Sequence, residues 1–239
     1  MIPYFYFDKI IIGPVIIYTW GIFVAIGVLI AYLFALKQAP KKGIDTKIIH
    51  NLFIWVFFWG AAGSILLGRG GLSIVGGIFG VLVAGFLYLK LTKNLHLFFP
   101  IADIVVLIIP ISFAVGRIGC ALINDHQGDE TSLSWGIVWP DGITRHPVAE
   151  YLIISALVLF LILKYLKPRL RKPGQLFFSF LFLYSLSRFF LDFTRSTGTP
   201  LSDPHYFGFS VAQWLFLAVI FVIITAGQYF FKKSKVGKN

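Results

Sequence analysis

Long apolar stretches alternate with short polar ones along the whole chain. A membrane-spanning helix needs about 20 mostly apolar residues to cross about 30 Å of hydrocarbon. Seven stretches meet this requirement, and they cover residues 17–36, 50–67, 72–91, 101–123, 148–166, 175–194 and 211–231. The pattern predicts an all-α integral membrane protein with seven transmembrane helices, preceded by a short apolar segment, residues 1–14, at the membrane surface.

The composition agrees with lipid as the main solvent of the chain. Its 239 residues are 58% hydrophobic and 13% charged, whereas soluble domains average about 45–50% apolar and about 25% charged residues. The third span carries Gly76, Gly77, Gly80 and Gly85, and small residues let membrane helices approach closely. Cys120 is the single cysteine, which excludes an intrachain disulfide and a cysteine-rich metal site.

The basic residues orient the predicted spans. Lys and Arg concentrate on the cytoplasmic side of membrane proteins. Here 15 of the 21 basic residues fall in the first, third and fifth connections and in a basic tail, residues 232–239, together with one acidic residue, Asp45. The N-terminus is therefore predicted outside and the C-terminus in the cytoplasm. With this distribution the net charge of +11 does not indicate nucleic-acid binding.

The chain is predicted to form one polytopic membrane domain, residues 1–239. Small outer head segments are expected between helices four and five and between helices six and seven. The larger one, residues 124–145, contains Trp135, Trp139 and the turn sequence Pro140-Asp141-Gly142. These turn residues favour a compact hairpin.

Six basic residues are not used by the cytoplasmic side: Lys9, Arg69, Arg117, Arg145, Arg188 and Arg195. An ionisable side chain inside a span costs about 2.5–3.5 kcal/mol on insertion scales, so its usual meaning is functional. Arg117 lies near the outer end of span four, between Gly116 and Gly119 and before the polar run 124–130. Snorkelling to the interface explains its position but not these neighbours. We therefore predict that its guanidinium faces a cavity.

Span six carries a polar stripe. Tyr184, Arg188, Asp192 and Arg195 follow one another at offsets of 4, 4 and 3, which predicts one shared helical face. Arg188 and Asp192 neutralise each other in part, and Arg195 is left over. Guanidinium groups suit phosphate because they donate two parallel hydrogen bonds, so the stripe is predicted to bind an anionic headgroup.

Other polar residues lie near helix ends. His146 and Glu150 are four apart and are predicted on one face of span five. His146 either hydrogen-bonds the loop as a helix-start residue, which the pattern favours, or acts as a base or substrate ligand. Ser210 is predicted to cap span seven, with Gln213 facing the outer cavity or the capped turn. Asp103 is predicted to cap or orient span four near its inner end.

Together these residues resemble the bacterial prolipoprotein diacylglyceryl transferases. The stretch GRIGCALINDHQG, residues 116–128, looks like the signature of that family. Four weaker resemblances occur in the family's order: YTWG at 18–21, GGLSIVGG at 70–77, His146-Pro147 with Tyr151, and SRFFLDFTR at 187–195. The resemblance covers nearly the whole chain.

The resemblance implies a transferase in the bacterial cytoplasmic membrane with its active site toward the outer side. Such an enzyme moves the diacylglyceryl group of phosphatidylglycerol to the lipobox cysteine of a prolipoprotein signal peptide and releases glycerol phosphate. This is the first step of lipoprotein maturation. The resemblance implies seven spans, in agreement with the hydrophobic pattern, and it implies no metal or organic cofactor.

The candidate catalytic residues are then Arg117, Arg188 and His146. Preorganised guanidinium groups would stabilise the charge that develops on the leaving phosphate, and they would also bind the anionic headgroup. The further candidates for binding lipid or substrate are Asn124, Asp125, Gly128, Asp192, Arg195 and Gln213. Asn124 and Asp125 are expected to orient the arginines.

Several positions depart from the family pattern. Val75 stands where the family commonly has a histidine that has been suggested as the base. The other departures are Trp20 for tyrosine, Asp125 and Asp192 for glutamate, Cys120 for asparagine, and Ala149 for glutamine. The identity of the base therefore stays open, with His146 and His126 as the candidates.

Two alternative functions also stay open. Val75 favours a catalytically weak relative that binds anionic lipid or a lipoprotein. A small-solute transporter would also place charges within the membrane. Against the transporter, no sequence repeat relates the two halves of the chain, and the charges cluster on one side of the membrane.

Overall fold

A computed structural model describes residues 1–67, 74–125, 127–197 and 204–236. Within these residues the chain folds into seven α-helices joined by turns and short strands. The helices are α1 (Thr19–Gln38), α2 (Thr46–Leu66), α3 (Ile74–Leu91), α4 (Phe98–Ile123), α5 (Val148–Leu166), α6 (Gln175–Leu191) and α7 (Val211–Val236). Each helix overlaps one predicted span, so the predicted helical fold is confirmed for this part of the chain.

Helix ends differ from the predicted ones for local reasons. α1 begins at Thr19, two residues late, because Val15–Tyr18 form a β-strand. α6 ends at Leu191, where Asp192–Thr194 tighten into a 3-10 turn. α7 continues to Val236, so most of the predicted basic tail extends this helix.

Several helices are suited to a membrane. Among the described residues, five helical segments are long and apolar enough to cross one: Thr19–Gln38, Thr46–Leu66, Leu95–Ile123, Val148–Arg169 and Gln175–Thr194. Gly76–Leu91 and Val211–Thr225 are shorter apolar helical stretches. Large side chains such as Phe58, Phe79 and Leu161 are exposed on these helices, as expected for surfaces that face lipid. The chain is therefore a membrane protein.

The chain divides into two compact units. The first contains Met1–Val28, Ile109–Arg171 and Gln175–Asn239, and the second contains Leu29–Ile108 and Lys172–Gly174. α1 and α4 contribute to both units because the division falls within them. The candidate site residues from Arg117 onward all belong to the first unit.

Short strands in the first unit connect distant parts of the sequence. They are β1 (Ile2–Pro3), β2 (Lys9–Ile12), β3 (Val15–Tyr18), β4 (Ile137–Val138), β5 (Thr144–Arg145), β6 (His205–Tyr206) and β7 (Phe209–Ser210). β4 and β5 form the hairpin predicted within residues 124–145, and β1 joins it by parallel pairing with β4. β2 and β3 form a second hairpin, which the apolar pattern of residues 1–14 does not predict.

In the second unit, α2 and α3 pack through glycines. A Cβ atom added to Gly63 would overlap the carbonyl of Gly76, and one added to Gly80 would overlap the backbone of α2. Gly77 and Gly85 have their nearest neighbours at 3.6 Å, an ordinary contact distance. The predicted close approach is confirmed, and it depends on Gly76 and Gly80.

Asp103 fixes a turn near the N-terminal end of α4. Its Oδ2 accepts a hydrogen bond of 2.7 Å from the backbone N–H of Gly174, just before α6. Gly174 has a φ of +89°, and a Cβ there would lie 2.8 Å from the ring of Phe99. Asp103 therefore holds the turn at Gly174, and its predicted role in capping or orienting α4 stays a prediction.

Candidate active site

Asp192 is a buried carboxylate at the end of α6 that faces two arginines. Its Oδ1 lies 3.9 Å from Nη2 of Arg188 and 3.4 Å from Nη1 of Arg195. Arg188 is on the last helical turn, Asp192 is in the 3-10 turn, and Arg195 has an extended backbone. The predicted stripe forms, but the prediction of a single α-helical face is wrong because the helix ends before Asp192.

Arg188 lies among other charged groups. Its side chain is 13% exposed, and its Nη1 is buried with no hydrogen-bond partner among the described residues. Arg117 and Arg195 lie close enough to act on it electrostatically, as do Asp192 and Tyr184. We call Arg117, Arg188 and Arg195 the arginine cluster. Guanidinium groups are chemically suited to bind carboxylate or phosphate.

Arg117 lies beside a thiol in the last turns of α4. Its Nη1 donates a weak hydrogen bond of 3.7 Å to Sγ of Cys120, and Asp125 also interacts with this thiol. Gly119, two residues after Arg117, has a packing role of its own. A Cβ on Gly119 would lie 2.8 Å from the Cα of Trp20, so this glycine allows α4 to pack closely against α1.

An extended segment, residues 127–130, joins the arginine cluster to His146. Backbone hydrogen bonds of 3.0 Å pair this segment with residues 194–196 on one side and with His146 on the other. Gly128 lies opposite Arg195 in this pairing. This segment therefore links the backbones of Arg195 and His146.

Gly128 is required by this close pairing. A Cβ at this position would overlap the carbonyl oxygen of His146 and lie 2.8 Å from its Cβ. Backbone packing therefore explains the glycine in the signature stretch. Direct contact of Gly128 with lipid stays a prediction.

His146 precedes α5 and contacts the loop, as its helix-start role predicts. Its backbone N–H belongs to the pairing with residues 127–130. The shared helical face with Glu150 is wrong, because the helix begins only at Val148. The two side chains nevertheless line one narrow crevice together with Asn124.

The His146 ring is held by a hydrogen-bonded pair of aromatic residues. Nδ1 of His146 lies 3.2 Å from the hydroxyl oxygen of Tyr151. Nε1 of Trp135 donates a hydrogen bond of 2.9 Å to the same oxygen. No partner for Nε2 of His146 is found in the described part of the chain, so this nitrogen can meet a ligand.

Asn124 anchors the N-terminal segment. Its Nδ2 donates a hydrogen bond of 2.6 Å to the carbonyl of Phe5. Its φ of +46° is in the left-handed region, which asparagine tolerates better than most residues. Its Nδ2 is thus engaged by the backbone before β2, and the predicted role of its amide oxygen in orienting an arginine stays a prediction. Asp125 interacts with the Cys120 thiol, as Arg117 does. Its role in orienting Arg117 stays a prediction.

Gln213 faces the capped turn, the second of its two predicted positions. Its backbone N–H donates to Oγ of Ser210 at 3.0 Å, and its Oε1 accepts from the N–H of Ser210 at 2.9 Å. This reciprocal pair is a capping box and confirms Ser210 as the cap. Gln213 is 2% exposed, so it contacts protein on all sides in this conformation.

Arg145 is explained by the β4–β5 hairpin. Its two guanidinium nitrogens each lie 2.8 Å from a carboxylate oxygen of Asp141, and its guanidinium carbon lies 5.7 Å from the ring centre of Trp139. The hydrogen bond from Arg145, helped by the N–H of Ile143, holds the pKa of Asp141 below its usual range.

Some predicted residues cannot be placed. Arg69, His126 and the first part of the third-span motif, residues 70–73, lie outside the described residues. The backbone of Val75 is helical. In the described part of the chain, no three His, Cys, Asp or Glu side chains come together as metal ligands would.

Two contacts of the site were not predicted. The spacing of Ser210 and Gln213 indicates a cap but does not reveal that Ser210 also binds Asp192. The pair His146 and Tyr151 is five residues apart, which is not a helical spacing. Both contacts depend on tertiary packing.

Comparisons with known proteins give one family along most of the chain. The family model described as prolipoprotein diacylglyceryl transferase matches residues 9–229. The chain is 30% identical to the phosphatidylglycerol–prolipoprotein diacylglyceryl transferase of Clostridioides difficile (strain 630), over 90% of this chain and 92% of that protein. It is 30% identical to the Mannheimia succiniciproducens protein of the same name, over 92% of this chain and 91% of that protein. It is 29% identical to the Pasteurella multocida protein of the same name, over 98% of this chain and 95% of that protein.

Proposed function

Because the chain belongs to the prolipoprotein diacylglyceryl transferase family, we propose that it transfers the diacylglyceryl group of phosphatidylglycerol to a prolipoprotein cysteine. In this reaction a carbon–sulfur bond forms and the bond between the glyceryl carbon and the phosphate oxygen breaks. The thiol proton passes to a base, and glycerol phosphate leaves with the bonding electrons. The protein is thus an enzyme of lipoprotein biosynthesis.

The arginine cluster is the observation that carries this proposal. Arg188 and Arg195 face the buried carboxylate of Asp192. Arg117 lies close enough to Arg188 to act on it electrostatically, so three positive charges gather in this part of the site. Phosphatidylglycerol is anionic, and its phosphate gains charge as the carbon–oxygen bond breaks. Donors fixed in a site poor in water stabilise such developing charge without reorganising.

Arg188 is the residue proposed to contact the leaving phosphate. Its Nη1 is buried and lacks a protein partner in the described part of the chain, and a buried donor without a partner carries a desolvation cost. A phosphate oxygen would remove that cost. Arg117 and Arg195 supply additional positive charge, and Asp192 limits the repulsion among the three.

His146 is the proposed proton acceptor. If Nδ1–H donates to Tyr151, then Nε2 carries the lone pair that can accept the thiol proton. Tyr151 oxygen would then accept from both Trp135 and His146, which its two lone pairs allow. The paired segment, residues 127–130, connects the backbone of His146 to that of Arg195.

The proposed topology has seven spans with the N-terminus outside and the C-terminus in the cytoplasm of a bacterium. The distribution of Lys and Arg supports this orientation. The apolar length of five helical segments supports five of the spans, and α3 and α7 contain shorter apolar stretches. The arginine cluster then lies toward the outer side, where prolipoproteins expose their lipobox cysteine. Residues 1–14 are proposed to lie on the outer face of this cytoplasmic membrane.

Transfer of label tests the function. Purified protein is incubated in detergent micelles with phosphatidylglycerol labelled in its acyl chains and with a lipobox peptide. Label is expected on the peptide, and glycerol phosphate is expected as the co-product. Peptides with serine at the lipobox position and micelles containing labelled phosphatidylcholine are expected to give no product. The Clostridioides difficile relative serves as the positive control, and absence of transfer where that control is active would refute the proposal.

A second candidate is a relative that binds anionic lipid without turnover. Val75, at the position where the family commonly has histidine, favours it. Phosphatidylglycerol would then raise the unfolding temperature of the protein while the transfer assay gives no label on the peptide. Transfer at a rate comparable with the control would exclude this candidate.

A further inference from the structure

The start of α7 carries a cap with an additional partner. In an ordinary capping box, the serine oxygen and the glutamine oxygen each accept a backbone N–H at the helix start, which satisfies donors that the helix cannot. Ser210 and Gln213 make both of these hydrogen bonds, at 3.0 and 2.9 Å. The serine proton is not needed for this cap and is available for another acceptor.

That proton goes to the carboxylate of the arginine cluster. Ser210 Oγ donates a short hydrogen bond to Oδ2 of Asp192. Gln213 Nε2 donates a hydrogen bond of 3.1 Å to the carbonyl of Phe189 on α6. Ser210 and Gln213 are 1% and 2% exposed. The cap therefore ties the start of α7 to the end of α6 at two points.

Asp192 divides its two oxygens between the cap and the arginines. Oδ2 faces Ser210, and Oδ1 faces Arg188 and Arg195 at 3.9 and 3.4 Å. A carboxylate held at one oxygen cannot rotate freely to form a closer pair with either guanidinium. By contrast, the pair of buried Arg145 and exposed Asp141 closes to 2.8 Å. The hydrogen bond from Ser210 thus keeps Asp192 near the arginines without consuming Arg188.

We infer that Ser210 and Gln213 are positioning residues for the arginine cluster and that they act through Asp192. This inference rests on the proposed function and assigns Gln213 a role other than direct lipid contact. Ser210 fixes the direction of the Asp192 carboxylate, and Gln213 fixes Ser210 and the last turn of α6. Arg188 then presents its unpartnered Nη1 to a phosphate oxygen.

Ser210→Gly separates positioning from capping. Glycine is nearly as good a cap as serine, so the cap itself loses little, but the hydrogen bond to Asp192 is removed. We expect the kcat of transfer, corrected for the folded fraction, to fall about tenfold, as for loss of one hydrogen bond to a charged group. Ser210→Thr keeps the hydroxyl and is expected to restore the rate to within about twofold.

A cap outside the site provides the matched control. Asp45 caps α2 by accepting the N–H of Lys47 at 2.9 Å. Asp45→Ala removes this cap and is expected to lower the unfolding temperature while kcat stays unchanged. The positioning role is refuted if Ser210→Gly retains the wild-type kcat. It is also refuted if the kcat of Ser210→Thr is as low as that of Ser210→Gly.

A double-mutant cycle tests the route through Asp192. In an Asp192→Asn background, Ser210→Gly is expected to have no further effect on kcat, because coupled residues are not additive. Additive losses would show that Ser210 acts by another route and would overturn the inference.

Lipid binding separates this inference from the proposed function. Phosphatidylglycerol in micelles is expected to raise the unfolding temperature of the wild type more than phosphatidylcholine does, and Ser210→Gly is expected to lose most of that difference. If the wild type transfers no label, the proposed function fails, and this measurement alone decides the positioning role. Equal shifts in the wild type and Ser210→Gly would then refute it.

Discussion

Nη2 of Arg188 lies 3.9 Å from Oδ1 of Asp192, within ion-pair distance but beyond hydrogen-bonding distance. The pair therefore neutralises charge in the buried end of α6 without occupying the donors of the guanidinium. This looseness distinguishes Arg188 from Arg145, whose contacts with Asp141 are close. Arg145 holds the hairpin, whereas Nη1 of Arg188 has no hydrogen-bond partner among the described residues.

Arg188→Lys is expected to lower transfer by about 10–100-fold. Lysine keeps the charge but cannot donate two parallel hydrogen bonds to a phosphate. The measurement is the initial rate of label transfer, normalised to folded protein from thermal unfolding. As a control, Arg145→Lys is expected to retain activity within about threefold because its partner is the hairpin. Full activity of Arg188→Lys would show that planar phosphate recognition is not required.

Gly128→Ala is expected to reduce both activity and stability. Its Cβ would overlap the carbonyl of His146, so the pairing of residues 127–130 must shift, and overpacking typically costs about 1–3 kcal/mol. Gly85→Ala is the control, since its nearest neighbour is at 3.6 Å. Unfolding temperature and transfer rate are measured for both. Similar behaviour of the two variants would contradict the packing role of Gly128.

His146→Gln is expected to lower transfer by about 10²–10⁴-fold if His146 is the general base. Tyr151→Phe, which removes the partner of Nδ1, is expected to cost about tenfold. A peptide with selenocysteine in place of cysteine bypasses the base, because a selenol ionises more readily than a thiol. The loss in His146→Gln should then largely disappear. An equal loss with both peptides would assign the base to another residue.

The β2–β3 hairpin is expected to contact lipid. Ile11 and Ile12 are 63% and 62% exposed, and the hairpin carries no charge between Lys9 and its other end. Spin labels at Ile11→Cys in a Cys120→Ala background should collide more with oxygen than with a water-soluble nickel chelate. A label at Ser134→Cys in the outer loop should show the reverse. Equal access of nickel to both sites would place the hairpin in water.

Acid is expected to remove the contribution of Asp141 to stability. The folded-state pKa of Asp141 is lowered by Arg145, so its stabilisation is present above the unfolded pKa of about 3.9 and is lost as pH falls through the folded pKa. Unfolding temperatures of the wild type and Asp141→Asn should differ at neutral pH and converge in acid. A constant difference down to pH about 2 would show that this carboxylate does not provide the linkage.

The sequence predicted the helices and the grouping of Arg188, Asp192 and Arg195. Span 148–166 coincides with α5, and the capping role of Ser210 follows from its spacing to Gln213. The errors arose where the chain leaves regular structure. Arg195 and His146 were placed on helices, but the chain is not α-helical at either residue.

By itself, the sequence determined that apolar helices would form and that arginines would be left inside them, because helix length and hydrophobicity are local properties of the chain. Only the tertiary structure decided which polar groups meet. Asp192 at the end of α6 accepts a hydrogen bond from Ser210 before α7, and Gly128 lies against the backbones of Arg195 and His146. These partners are distant in sequence, and their contact depends on the packing of backbone segments that no local pattern specifies.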